Sequence, residues 1–563
     1  MSGYVAIIAP NDDIPKIRRN LKDSDCISFP LNDRQTLLWY STAKSVMGNR
    51  LFQGYAIDHE KQQLVFPGAL PNQIPSPTSP VDGSYFTALI GRDAVSFGAD
   101  LNGYVPMCWF STPEILAISD SFLTLIQLRR DLGLSCTIDT DVIAGRMWLN
   151  SISFQQLGTE TYCREIAICT PGSSLTFSLE HNTVVETPAN LVEAYKGSFS
   201  SHADAIHQAA ARMIGVFRGY AETGGTVNLG LSGGTDSRVC LAAALAADIG
   251  DTLHVGSKDN GRLDFPIAVE LSERFEFPIN RPAPHLHGTL ENRDSFTTWA
   301  AMNLGIYDVL YASNKFRRLD IPVFSVGGQG AEISKGNFGW RPLSNIDMPR
   351  PALEQAQRAL NRIGSTPEDR WGSEWHYLTF RHPLHGGRAL LNSDYVARPA
   401  AQSPVIGLSR STMNEFPAPK PGQYNIIGDL LVCLNPMMAL HRFDRRSKDF
   451  TQERLDRRLR AIGGPIGPGE VPQYSYAGSA IPSTGVLPTH VAVAENYGFR
   501  GGIAGSALWP FAKKSLDYFS DTLPPQLISK AKGISPDDRK VISSQLRDGQ
   551  ALSKLVSLYP LVT

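Results

Sequence analysis

The chain has 563 residues, 42% of them hydrophobic and 19% charged, and its 53 Lys+Arg nearly cancel its 54 Asp+Glu. That length exceeds a single hydrophobic core and implies several domains, while the composition excludes charge-driven disorder and offers no global basic field for gripping nucleic acid. The seven cysteines are scattered without CxxC spacing, and read as reduced core thiols of a cytoplasmic protein rather than a zinc site or a disulfide frame.

In chain order, MSGYVAIIAPNDDIPKIRR opens with an apolar stretch too short for a signal peptide. TLLWYSTAKSV is interrupted and short, and no run of about 18 apolar residues occurs, so no membrane span is expected. GYAID, QQLVFPG, SYFTALIG and DAVSFGAD alternate and are punctuated by Gly and Asp, as antiparallel strands are. PNQIPSPTSP between them reads as a mobile Pro/Ser loop. ILAISD then SFLTLIQLRRDLG predicts a strand passing into an amphipathic helix, with Phe122, Leu125, Leu128 and Leu132 on one face.

From about residue 200 the rhythm changes. SHADAIHQAAARMIGVFRGYAE predicts a helix, TVNLGL a buried strand, SRVCLAAALAADIG a helix, DTLHVGS a strand and DFPIAVELSERF a helix. YDVLYASNKFRRL reads as a further helix and IPVFSVGG as a strand. Such alternation predicts a parallel sheet wrapped by helices. Beyond about 350 the pattern is mainly helical, except for a long loop at 463–485 that suits a lid or a disordered segment.

The most informative segment is Leu231-Ser232-Gly233-Gly234-Thr235-Asp236-Ser237, between a strand and a helix. Adjacent glycines let the backbone approach an anion, three hydroxyls add donors, and the helix N-terminus favours negative charge. Asp236 would repel a bare phosphate, and makes sense if it holds a cation such as Mg2+ beside the phosphates. The lysine of the GxxxxGK[ST] loop is missing.

This string resembles the pyrophosphate loop of ATP pyrophosphatases, and its neighbours resemble the asparagine-synthetase branch of that family. DTLHVGSKDNGRLDFPIAVELSERF is similar to the family's second strand, where Val255 and Gly256 would contact nucleotide. Tyr307-Asp308 followed by IPVFSVGGQGAE is similar to its YD and GxGxD stretch, which places Gly328 at the nucleotide and Glu332 with Asp236 on the metal. Asp82-Gly83-Ser84-Tyr85-Phe86 and Asp100-Leu101-Asn102-Gly103-Tyr104-Val105-Pro106 resemble the glutaminase-like domain of the same branch. The resemblance runs in order over roughly residues 80–450.

It implies an α+β, Ntn-glutaminase-like antiparallel sandwich over residues 1–195. A parallel-sheet α/β synthetase domain of the adenine nucleotide α-hydrolase type would follow over 196–563, with a helical C-terminal extension. The sequence departs from the family at three points. The catalytic cysteine after Met1 is replaced by Ser2, so glutaminase activity is expected to be lost, as in β-lactam and lasso-peptide macrolactam synthetases. Gln329 stands where a Tyr or Glu assists amine deprotonation, and it can position but not act as a base. His382 and His385 fall where a base partner would. SPVIGL at 403–408 resembles a degraded VPFLD without its Asp.

Lys448, among Arg442, Arg445 and Arg446, lies where the family keeps a lysine that neutralises charge as an acyl-adenylate forms. The resemblance therefore implies an AMP-forming carbon–nitrogen ligase using ATP and Mg2+, with Lys448, His385 and Gln329 as catalytic candidates. Its substrate would supply a carboxylate and an amine, favouring intramolecular closure of a precursor peptide delivered with a companion protease. Ammonia-dependent asparagine synthesis and a non-catalytic nucleotide-binding role are the alternatives. Neither nucleic acid nor membrane is an expected partner.

Overall fold

The computed structural model describes residues 3–21, 26–42, 46–149, 151–259, 261–281, 294–310, 321–391, 393–418, 423–482, 486–534 and 547–563. Within them the chain is a mixed α/β structure with two antiparallel sheets and one parallel sheet. Ser2 lies outside these residues, as does the helix expected over 307–319 from residue 311 onward.

The first sheet has Tyr4–Pro10 at its centre, paired antiparallel with Gln35–Ser41 on one side and Leu116–Ser119 on the other. The second is built on Arg50–Asp58, Asp82–Ile90, Ala94–Ala99 and Ser174–Ser178. Period-two alternation sorts the first strand: Tyr4, Ala6 and Ile8 face the second sheet's Phe86, Phe97 and Phe177. Val5, Ile7 and Ala9 face helices on the other side. Both faces are covered, which is why YVAIIAP is apolar throughout.

The expected strand and helix around ILAISD occur as Leu116–Ser119 and Phe122–Asp131, with Ser121 capping the helix by accepting the Thr124 N–H. The helix is not one-sided, however. Leu123, Thr124 and Ile126 are buried along with Phe122, Leu125 and Leu128, while Leu132 only caps the end. Helices Ser295–Asn303 and Pro488–Asn496, far away in sequence, pack on its other side. The loop at 71–80 tucks Ile74 inward and lays Pro77 against Gly98.

The parallel sheet has the order Leu253–Gly256, Thr226–Gly230, Val323–Val326, Tyr395–Ala397. Helices His202–Glu222, Thr235–Ala246 and Ile426–Leu434 cover it. The second strand in sequence lies on one side of the first and the third on the other, so the chain reverses direction beside Thr226–Gly230. Ligands of open parallel sheets bind at such a reversal, beyond the carboxyl ends of the strands.

The segment 463–482 serves as a strap. Its strand Ser475–Ala477 adds in parallel to Gln63–Val65 of the second antiparallel sheet, and Tyr474 is buried on the helix His202–Glu222 side. The two halves are joined again where helices Gly505–Tyr518 and Arg547–Val562 share a core with Val5 and Ile7. All seven cysteines are free. No helix among the described residues is long and apolar enough to cross a membrane.

Candidate active site

The turn Leu231–Gly234 leaves the central strand Thr226–Gly230 and enters the helix Thr235–Ala246 at the reversal point. Its shape is fixed from within. Ser237 Oγ accepts the Ser232 N–H at 3.0 Å, the two serine hydroxyls lie 3.0 Å apart, and the Leu231 N–H reaches Gly256 O at 2.8 Å. The Gly233 N–H is donated to Asp264 Oδ1 at 2.8 Å. A Cβ on Gly233 would stand 2.9 Å from Asp444 Cβ, so only glycine fits between those neighbours. Gly234 caps the helix with no side-chain bond of its own.

The second turn, Gly327–Gly330, follows the neighbouring parallel strand, in register Leu229 with Val326. Gly328 is pressed onto the first turn: a Cβ there would lie 2.6 Å from Asp236 Cβ. This contact brings Asp236 and Glu332 together. Burial first, then the charge of Asp236, pushes the Glu332 carboxyl above its usual range. Glu332 Oε2 accepts the Gly330 N–H at 2.7 Å. Asp236 Oδ2 pairs with Lys335 Nζ at 2.6 Å, whereas Asp236 Oδ1 is buried with no partner.

Two carboxylates crowded at a glycine-lined turn, one with an unmet oxygen, suit a divalent cation. Mg2+ asks for one or two carboxylates, with phosphate and water completing its shell. Asp236 and Glu332 are the residues that would hold it. Among the described residues no cluster of three or more His, Cys, Asp or Glu offers a metal site made by protein alone.

Lys448 faces the first turn from a third direction. Asp444 holds its Nζ at 2.8 and 3.2 Å, and that Nζ lies 3.9 Å from where a Gly234 Cβ would be. Arg442 is instead engaged by Glu270. Val255 and Gly256 line the other flank; Asn280 bonds Val255 O and Ser257 N, and the buried Ser257 Oγ has no partner. Gln329 folds back over Gly327, its Oε1 buried and without a donor, which suits positioning.

The histidines differ from their expected role. They sit on a nearly continuous helical segment, Gly372–Gly387, widened to a π-turn over Tyr377–Arg381. His385 Nδ1 bonds Tyr307 OH at 2.7 Å, and burial together with Arg388, Arg381 and Arg398 pushes its imidazole far down. An imidazole held this way is a poor proton acceptor, so the base role expected of His385 has no electrostatic support. His382, not His385, lies against the second turn, its Cε1 3.1 Å from a Gly330 Cβ position; it bonds Tyr104 OH at 2.7 Å and burial lowers it to about 3. SPVIGL starts the helix Ser403–Arg410, which packs on Tyr195 and Lys196 through Gly407.

Sequence reading missed Lys335, Asp264 and Asp444. Lys335 follows Glu332 by three positions, the spacing that puts two side chains on one helical face, and that was its one available signal. Asp264 opens the helix Asp264–Phe275 and Asp444 precedes Lys448 by four, but nothing local aims either at the turn. No known protein-family profile matches the chain, and no curated protein matches it in sequence.

Proposed function

We propose that the chain is an AMP-forming amide ligase of the asparagine-synthetase type, whose parallel-sheet half binds ATP and whose antiparallel half is a former glutaminase domain. The observation that carries this reading is the meeting of two glycine turns at the reversal point of the parallel sheet. There Asp236, Glu332, Lys335 and Lys448 surround the two glycine turns.

In this reading the turn Ser232–Ser237 cradles the phosphates. A substrate carboxylate oxygen bonds to the α-phosphorus as the bond to pyrophosphate breaks, and Lys448 offsets the negative charge that develops. A substrate amine then attacks the acyl carbon, the acyl–AMP bond breaks, and the amide forms with loss of one proton. Mg2+, when bound by Asp236 and Glu332, neutralises phosphate charge. Gln329 orients substrate. The favoured substrate is a precursor peptide, matured with a companion protease, that joins an amine to a side-chain carboxylate within one molecule.

The test is exchange of labelled pyrophosphate into ATP, with free aspartate plus ammonia in one arm and precursor peptides in another. Carboxylate-dependent exchange that Asp236→Asn abolishes is the expected outcome. Exchange at full rate in Asp236→Asn, or none with any carboxylate, overturns the proposal.

A further inference from the structure

A cleft lies between the second antiparallel sheet and the helix His202–Glu222, its empty space about 460 Å³ with the open solvent at its mouth included. Tyr55, Val216 and Phe217 make much of its wall apolar. Into that wall are set polar groups whose needs the protein does not meet.

Arg398 is the first. It is only 8% exposed, yet its guanidinium donates to main-chain carbonyls alone: Ser325 O at 2.7 Å, Ala397 O at 2.8 Å and Gly386 O at 3.2 Å. Its Nε has no acceptor, and no carboxylate pairs with it among the described residues. Carbonyl dipoles satisfy N–H groups but leave the charge uncompensated, and a buried charge without a counter-ion costs several kcal/mol. Arg212, in the same cleft, bonds Ser403 Oγ at 3.1 Å and likewise pairs with no described acid.

Gln402 is the second. Its Nε2 donates to Pro399 O at 2.8 Å and Ala209 O at 3.3 Å, which fixes the amide's orientation, and its buried Oε1 is left without a donor. Asp82 lines the cleft too, held by His59 at 2.9 Å and Asn102 at 3.3 Å. One wall therefore lacks an anion, and a neighbouring acceptor lacks a donor.

We propose that this cleft binds a small amino-carboxylate, its carboxylate on Arg398 with Arg212 as the second positive charge, and its N–H or ammonium group at Gln402 Oε1. The cleft borders the second turn, Arg398 Cζ lying 3.6 Å from a Gly327 Cβ position, but neither turn contributes a lining residue, and the proposal does not rest on the ligase reading. The ligand is either a free amino acid or an acidic residue of a peptide; the chemistry recognised is the same.

Isothermal titration of the full chain without ATP tests this with four probes: L-glutamate, glutarate, inorganic phosphate and a terminally blocked Gly-Glu-Gly peptide. Saturable binding of glutamate identifies a free amino acid, and binding of the blocked peptide identifies a peptide residue; either supports the site. Arg398→Gln and Arg212→Gln are each expected to weaken binding roughly tenfold or more. Because Arg398 also ties three carbonyls, Arg212→Gln carries the test if Arg398→Gln does not fold. The proposal is overturned if neither probe saturates by about 10 mM, if Arg212→Gln leaves binding unchanged, if ATP displaces the ligand, or if phosphate or glutarate binds as well as glutamate.

Discussion

Replacing Gly234 by alanine separates a glycine kept for anion binding from one kept for folding. Its φ of −88° and ψ of 175° suit any residue. An added Cβ would meet only Ser232 Oγ at 3.6 Å and Lys448 Nζ at 3.9 Å, both ordinary contacts. Folding should therefore change by less than about 0.5 kcal/mol, and reduced freedom of the unfolded chain favours the variant. The methyl would nevertheless occupy the space between the turn and Lys448, where a phosphate would sit. Excluding a phosphate from that space forfeits charge-assisted hydrogen bonding worth about 1.5–3 kcal/mol in all, which predicts a fall in ATP affinity of about 10–10²-fold. Titration with a fluorescent ATP analogue, beside thermal denaturation, measures both effects. Gly328→Ala is the contrast: its Cβ would lie 2.6 Å from Asp236 Cβ, so overpacking should cost about 1–3 kcal/mol of stability. Unchanged affinity in Gly234→Ala, or a loss of stability equal to that of Gly328→Ala, would refute the reasoning.

Lys448→Met is expected to slow pyrophosphate exchange by about 10²–10³-fold, more than it weakens ATP binding, because the charge it offsets grows during reaction; rate and affinity are read separately. Asp308 is fully buried between Arg146 at 3.1 Å and Lys554 at 3.2 Å. Asp308→Asn would remove the carboxylate that Arg146 and Lys554 share and should cost about 3–5 kcal/mol, whereas Lys554→Met leaves the Arg146 pair intact and should cost less by denaturant titration. Burial raises the Glu374 carboxyl to about 7, against the Ser373 hydroxyl and the Phe338 and Trp340 N–H groups that favour its charged form. A raised carboxyl stabilises the fold fully below its unfolded pKa and loses that contribution as pH rises through 7. Glu374→Gln should therefore flatten the decline in melting temperature between pH 5 and 8, at fixed ionic strength.

Local chemistry made the parallel sheet legible. Thr226–Gly230, Leu253–Gly256 and Val323–Val326 are short apolar runs, each bounded by glycine or a polar turn and separated by helical periods. Tyr395–Ala397 escaped notice because three residues carry no period. Phe122–Asp131 was legible as a helix but not as one buried on several sides, because the helices covering its outer face come from far along the chain. The strap at Ser475–Ala477 has the same cause. A polar, proline-rich approach reads as loop, and only the free edge of Gln63–Val65 makes it a strand.

The site divides along the same line. The turn Ser232–Ser237 declared itself because its chemistry is contiguous, whereas the pairing of Asp236 with Glu332 depends on strand register. Parallel pairing of Leu229 with Val326 sets two loop starts side by side, and the missing side chain of Gly328 lets them touch. The same register carries Lys335 to Asp236 across 99 positions. Once there, the lysine holds one carboxylate oxygen and leaves the other unmet, so a cation can be added without breaking the ion pair. In an ordinary strand–turn–helix Asp236 would do no more than cap its own helix, whereas here it pairs with Lys335 and keeps one oxygen unmet.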